Sequence, residues 1–140
     1  MLGEQYAELV GKITSQRVLD VEGPIIETSV AIRGTMKGTQ VQEMITFTGI
    51  PTKEKGVIHG IGKGVVMALG DGDGGEHEVV SYTGEGIGRF GSGGNVTWRG
   101  SVFYKVSSGN KLSFLNNMVG VFEVEIDTNG NFSEKAWEWK

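Results

Sequence analysis

One glycine motif in the sequence has the spacing of a phosphate-binding loop. Gly86-Ile-Gly-Arg-Phe-Gly91 satisfies GxGxxG, which binds a pyrophosphate when its glycines lie between a strand and a helix N-terminus. The alternating residues around the motif instead predict that Gly86 and Gly88 lie inside one strand that leads into another. The further segments that accompany a kinase glycine loop are missing from the sequence. The position of the motif inside a strand therefore disfavours a nucleotide-binding site.

A second group of residues could carry chemistry because it is polar and predicted to face the interior. The group is Glu43, Tyr82, Tyr104 and Asn116. In one interpretation, Glu43 and Asn116 bond the tyrosine hydroxyls and fill the interior as a network. In the other, a desolvated carboxylate with a raised pKa acts as acid or base on a mostly apolar ligand. A one-residue register error would turn Glu43 outward.

No metal or cofactor is predicted. His59 and His77 are the only histidines, and cysteine is absent. The segment Asp71–Glu76 lacks the length and the terminal acid of an EF-hand loop, so a loosely held calcium at Asp71 and Asp73 is the one alternative. Without cysteine there is no disulfide or thiolate chemistry, which fits a reducing cytoplasm.

Composition predicts one domain over residues 1–140 with a real core, since 38% of the residues are hydrophobic and 21% charged. The net charge of −4 and the lack of a Lys/Arg cluster disfavour nucleic acid and anionic membranes as partners. The acidic start MLGEQYAELVGK is unlike a signal peptide, and no apolar run has the length of a membrane span. We expect a cytoplasmic protein.

Alternating apolar and polar residues predict an all-β chain. The eight predicted strands are Leu9–Leu19, Ile25–Lys37, Gln40–Ile50, Gly56–Leu69, His77–Phe90, Asn95–Val106, Leu112–Ile126 and Phe132–Trp139. Long strands joined by short turns favour a single eight-stranded antiparallel up-and-down barrel, with a two-sheet sandwich as the alternative.

Hairpin register predicts which side chains face inward, because paired strands must turn their apolar faces to the same side. A turn centred on Gly93 sets Gly88 opposite Trp98 and Tyr82 opposite Tyr104. The loop Asp71–Gly75 sets Gly60, Gly62 and Gly64 opposite Gly86, Gly84 and Tyr82. The glycines give aromatic rings a backbone surface on which to lie.

The later hairpins extend this inner face. A turn centred on Gly109 sets Trp98 opposite Gly120 and turns Phe122 inward, and a two-residue loop at Asn129-Gly130 turns Trp137 and Trp139 inward as well.

The earlier hairpins predict the position of Glu43 on the inner face. Loops at Gly38-Thr39 and Thr52–Lys55 set Glu43 opposite Gly34 and Gly64. The face of the first strand is left open, because its apolar residues fall on both sides.

The run GEGIGRFGSGGNVTWRGSVFYKVSSGNKLSFLNNMVGVFEVEIDTNGNFSEKAWEW resembles small bacterial proteins of unknown function whose fold is similar to the allene oxide cyclase barrel. The resemblance is strong from about Gly56 onward. It implies a calycin-like barrel of eight strands, commonly oligomeric and with an interior cavity. Allene oxide cyclase is a plant isomerase acting on an unsaturated fatty-acid epoxide, but its site residues match no positions here.

Three functions remain open from the sequence. The first is a barrel that binds a small apolar ligand, with Glu43 and Asn116 as polar anchors and walls formed by Tyr82, Trp98, Tyr104, Phe122 and Trp137. The second is a cyclase or isomerase in which Glu43 transfers a proton and Tyr82 or Tyr104 donates to a developing oxyanion. The third is a structural homo-oligomer with a filled interior, since apolar residues such as Val119 and Val121 are predicted to face outward.

Overall fold

The computed structural model describes residues 1–69, 78–106 and 111–140. It is a closed barrel of eight antiparallel strands in chain order, in which the first strand also pairs with the last. The strands are β1 Leu2–Asp20, β2 Ile25–Met36, β3 Thr39–Pro51, β4 Val57–Ala68, β5 Val79–Phe90, β6 Val96–Lys105, β7 Val119–Ile126 and β8 Asn131–Trp139. The predicted all-β up-and-down barrel is confirmed, and the sandwich alternative is excluded. The Asp71–Gly75 loop with its calcium alternative, the start of the fifth predicted strand at His77 and the turn at Gly109 lie outside the described residues.

The predicted register of β4, β5 and β6 is confirmed. Gly88 pairs with Trp98, Tyr82 pairs with Tyr104, and Gly64 pairs with Tyr82. Gly60 and Gly62 also face Gly86 and Gly84 as predicted. Gly86 and Gly88 therefore lie within the barrel wall, and the motif is followed by the short 3-10 turn Ser92–Gly94 and then by β6 rather than by an α-helix.

The register of β3 differs from the prediction, yet its inner face is the same. Glu43 pairs with Ile32 and Val66, two residues away from the predicted Gly34 and Gly64. The loop between β2 and β3 is Lys37-Gly38, whose φ angles of 45° and 79° are those of a two-residue hairpin turn. Because a shift of two residues preserves the face, Glu43 still points inward.

The prediction that Trp137 and Trp139 face inward is wrong. The last hairpin has a three-residue loop, in which Asp127 Oδ1 accepts the N–H groups of Asn129 and Asn131 at 2.9 Å each and Gly130 has φ 81°. One extra loop residue reverses the parity of β8. Trp137 therefore pairs with outward-facing Val121, and Trp139 is 53% exposed.

The seventh strand is shorter than predicted because residues 111–118 close one end of the barrel. Leu112, which precedes the 3-10 turn Ser113–Leu115, and Leu115, which ends it, are fully buried there. Trp98 consequently pairs with Val124, whereas Gly120 pairs with Val102. Asn116, predicted to face inward, is exposed on this cap.

Irregularities in β1 explain why its face could not be assigned from the sequence. The register of β1 against β2 shifts between Ile13 and Ser15 and again between Val18 and Asp20. A bulge exchanges inward and outward positions, so no single alternation runs through the strand. Near the start of β1 the register against β8 also shifts, between Leu2 and Gln5 and between Gln5 and Ala7, and the neighbours Tyr6 and Ala7 are both buried.

None of the helical segments in the described part of the chain has the length and apolar character needed to cross a membrane.

Candidate functional site

The interior contains an acid and three tyrosines on four strands. Glu43 on β3 is 2% exposed, and its Oε1 accepts a hydrogen bond from the Tyr82 hydroxyl of β5. Tyr6 of β1 and Tyr104 of β6 share a hydroxyl–hydroxyl hydrogen bond of 2.8 Å. The Glu43 Oε2 atom is buried without a hydrogen-bond partner. One strong acceptor in the interior is therefore unsatisfied.

A second carboxyl group, Glu134 of β8, faces the same space. It pairs with Val124 on the inner face, and its Oε2 is also buried without a hydrogen-bond partner. The sequence analysis missed Glu134 because the two-residue loop assumed for the last hairpin turned it outward. Asp127, four residues before Asn131, is the signal that could have revealed the longer loop, since an aspartate side chain commonly caps such a turn.

Burial changes the protonation of both acids. Desolvation raises the pKa of Glu43 to about 7, although the hydrogen bond from Tyr82 opposes this shift. Desolvation, followed by the charge of Glu43, raises the pKa of Glu134 well above its usual range. Burial likewise raises the pKa values of Tyr6, Tyr82 and Tyr104. Two carboxyl groups thus share an interior that disfavours ionisation of both.

The acids border a small cavity, here called the chamber, of about 70 Å³. Most of its other side chains are aromatic or aliphatic: Ile45, Phe47, Tyr82, Trp98, Val102, Tyr104, Phe122, Val124 and Phe132. No lysine, arginine or histidine lines it among the described residues. The acids therefore have no cationic partner in the wall.

A larger space, here called the cup, occupies the barrel end opposite the cap. Its volume is about 770 Å³, and its lining includes Ile26, Gly49, Ile58, Val96 and Ile126. Phe47 and Trp98 line both the cup and the chamber, with their rings edge to face at 5.4 Å between centroids. The chamber and the cup therefore adjoin at these two rings.

Trp98 is held by glycines in the opposing wall, as the sequence predicted. A Cβ at Gly60 would lie 2.5 Å from Trp98 Cζ3, and one at Gly88 would lie 2.9 Å from the same ring. Tyr82 lies against Gly64 in the same way. The glycines of β4 and β5 thus set the position of the ring between chamber and cup.

Gly60→Ala is expected to displace the Trp98 ring and to destabilise the fold by about 1–2 kcal/mol, because the new methyl group overlaps the indole. Tryptophan fluorescence in a Trp137→Phe/Trp139→Phe background reports on this ring alone. Gly62→Ala is the matched control, since a Cβ there would meet Phe47 Cβ at 3.1 Å rather than Trp98. Unchanged Trp98 emission in Gly60→Ala would contradict the assignment.

The structure unites most of the predicted site residues. Glu43, Tyr82, Trp98, Tyr104 and Phe122 all line the chamber. The two exceptions are Trp137, on the outer face, and Asn116, on the cap. Residues outside the predicted set also contribute, among them Phe47 and Glu134, which line the chamber, and Tyr6, whose hydroxyl shares a hydrogen bond with that of Tyr104.

Comparison with known proteins returns no match, whether the chain is scanned against family models or searched against curated proteins and solved structures. The resemblance to the allene oxide cyclase barrel thus stays a prediction. Among the residues that the structure describes, no three His, Asp or Glu side chains converge in a way that could hold a metal ion.

Proposed function

We propose that the protein binds a small ligand with an apolar body inside the barrel. The observation that carries this proposal is the pairing of a mostly apolar cup, whose lining also includes Glu54, Lys55 and Asp127, with a chamber in which Glu43 Oε2 and Glu134 Oε2 are buried without a hydrogen-bond partner. Binding sites commonly combine a mostly apolar wall with a few convergent polar groups.

The volumes of the chamber and the cup indicate which part of the ligand each space can hold. The chamber, at about 70 Å³, is about half the size of an engineered cavity of roughly 150 Å³ that binds benzene, so it admits a small polar head but no ring. The cup, at about 770 Å³, lies within the roughly 300–1,000 Å³ typical of ligand sites. The apolar body therefore lies in the cup, and these volumes disfavour a filled barrel.

Titration with the neutral fluorophore N-phenyl-1-naphthylamine tests the cup. We expect saturable binding that Ile26→Trp weakens at least about tenfold, because Ile26 lines the cup and the indole would occupy it. Val10→Trp is the matched control, since Val10 is 63% exposed. Equal binding by both variants, or no saturable binding by the wild type, would contradict the proposal. Native mass spectrometry of freshly purified protein is the route to the natural ligand.

A second candidate is a cyclase or isomerase with Glu43 as the proton-transfer group. It is favoured by the position of Glu43, which is 2% exposed at the chamber and bonded to Tyr82. This burial raises the pKa of Glu43 to about 7, where a carboxyl group can both accept and donate a proton near neutrality. The hydroxyl of Tyr82, bonded to Glu43, would be the donor to a developing oxyanion.

Chromatography of a ligand recovered after incubation separates the two candidates. An isomerase converts the ligand to a product of equal mass, and Glu43→Gln abolishes the conversion without abolishing binding. Recovery of unchanged ligand from wild type and variant alike would exclude this chemistry for that ligand. Homo-oligomeric assembly and cytoplasmic location stay predictions.

A further inference from the structure

We infer that the chamber binds the protonated amino group of an amphipathic ligand whose apolar body lies in the cup. This inference rests on the proposed ligand-binding function and specifies the class of ligand.

The first requirement on the head group of the ligand comes from the carboxyl oxygens in the chamber that have no hydrogen-bond partner. Glu43 has one oxygen bonded to Tyr82 and the other unpartnered, and Glu134 also has an unpartnered buried oxygen. A buried polar oxygen without a hydrogen-bond partner is costly, and no hydrogen bond from the described wall reaches either Oε2. An ammonium group brings three N–H donors and can therefore satisfy both oxygens at once.

The second requirement on the head group of the ligand comes from the charge of the chamber wall. Three glutamates line the chamber, but Glu85 is exposed and its carboxylate bonds His59, so the acids that face the chamber are Glu43 and Glu134, and no lysine, arginine or histidine lines it among the described residues. A carboxylate or phosphate head would meet like charge in a poorly solvated space, whereas an ammonium neutralises the acids. An alcohol could donate one hydrogen bond but would bring no positive charge to pair with an ionised carboxyl group.

The aromatic rings of the chamber favour the same head group. Phe47, Tyr82, Trp98, Tyr104 and Phe122 surround the space between the acids. Aromatic faces attract cations, and tryptophan does so most strongly. Rings and carboxyl groups together form a binding site for a cation rather than for a neutral group.

Amine binding must be linked to proton release. The titratable side chains that face the chamber are Tyr6 from β1, Glu43 from β3, Tyr82 from β5, Tyr104 from β6 and Glu134 from β8, while Glu138 lies further along β8. On β2, β4 and β7, the inward positions near the acids hold only apolar residues and glycine. The tyrosines stay neutral near pH 7, so the acids alone respond. Since the pKa of Glu43 is raised to about 7, its carboxyl group is mostly protonated at pH 6 and must lose that proton to bind an ammonium.

Isothermal titration calorimetry with octylammonium, 1-octanol and octanoate tests the inference, because the three ligands share a chain length and differ in head group. We expect octylammonium to bind at least about tenfold more tightly than 1-octanol at pH 8, and octanoate to bind most weakly. Octylammonium affinity should rise about tenfold from pH 6 to pH 8, as one carboxyl group ionises, with proton release measurable in buffers of different ionisation enthalpy.

Two variants connect the selectivity to the chamber. Glu134→Gln should weaken octylammonium binding at least about tenfold while leaving 1-octanol binding within about twofold. Glu123→Gln, an exposed acid on the outer face of β7, is the control and should change neither.

The outcomes distinguish this inference from the proposed function. Equal affinity for all three ligands, or amine binding insensitive to Glu134→Gln and to pH, would overturn the amine inference while leaving a ligand-binding cup. Failure of all three ligands, together with failure of N-phenyl-1-naphthylamine, would overturn both.

Discussion

Replacing Gly100 with alanine is expected to lower the free energy of unfolding by about 3 kcal/mol or more, at the upper end of overpacking effects. A Cβ at Gly100 would overlap the carbonyl oxygen of Glu85 and lie 2.6 Å from the Cα of Gly86. These are backbone atoms of β5, the strand paired with β6, and they cannot move aside by changing a rotamer. The methyl group must therefore push two paired strands apart in a closed barrel.

Urea denaturation of Gly100→Ala and Gly49→Ala measures this effect. In the control, the nearest atom to the new Cβ is Ile58 Cγ2 at 3.2 Å, which belongs to a side chain that can shift. We expect the control to change stability by less than about 1 kcal/mol. Similar stabilities for the two variants would show that the β5–β6 backbones are not as close as described.

The stability of the barrel is expected to fall as pH rises from 5 to 8, with Glu43 as one source. The pKa of Glu43 is about 7 in the folded protein against an ordinary value of 4.5. A raised folded pKa means that folding favours the protonated form, so the contribution is fully present below about pH 4.5 and is lost as pH rises through 7. The difference corresponds to about 3 kcal/mol. Glu134, whose pKa is also raised, adds a change of the same sign.

Glu43→Gln should remove the Glu43 share of this pH dependence. The variant is expected to lie within about 1 kcal/mol of the wild type at pH 5, since a protonated glutamate and a glutamine are similar in shape, and to exceed its stability by about 3 kcal/mol at pH 8. Urea titrations at the two pH values measure the change. Glu123→Gln, on the outer face, should keep the wild-type dependence. A wild-type protein equally stable at pH 5 and pH 8 would exclude buried, unpaired acids.

Individual residues show which parts of the site can be predicted from patterns in the sequence. Trp98, Tyr82 and Tyr104 were placed correctly because β4, β5 and β6 alternate without interruption. Glu43 was placed on the correct face although its register was wrong by two residues, since such an error does not change the face. Alternation along a strand is therefore sufficient to predict the inward side chains where the strands are regular and where any error in register is an even number of residues.

The predictions of inward side chains failed where one additional residue exchanged the inward and outward positions along a strand. A single additional loop residue after Asp127 moved Trp137 out of the interior and Glu134 into it. The bulges of β1 hid the inward position of Tyr6 in the same way. For Asn116, the error was one of element type, because Leu112 and Leu115 pack as a cap instead of continuing the strand.

The sequence by itself determined the barrel, the inward glycines beneath Trp98 and Tyr82, and the buried position of Glu43, because each follows from a period of two along a strand. Only the tertiary structure decided that a second acid, Glu134, faces Glu43 across the chamber, and that a cap closes one end while a cup opens at the other. These features depend on loop length, bulges and the closure of β1 on β8. The closure joins residues far apart in sequence, which the alternation along a single strand does not encode, whereas the loop after Asp127 has a local signal that the alternation alone does not show.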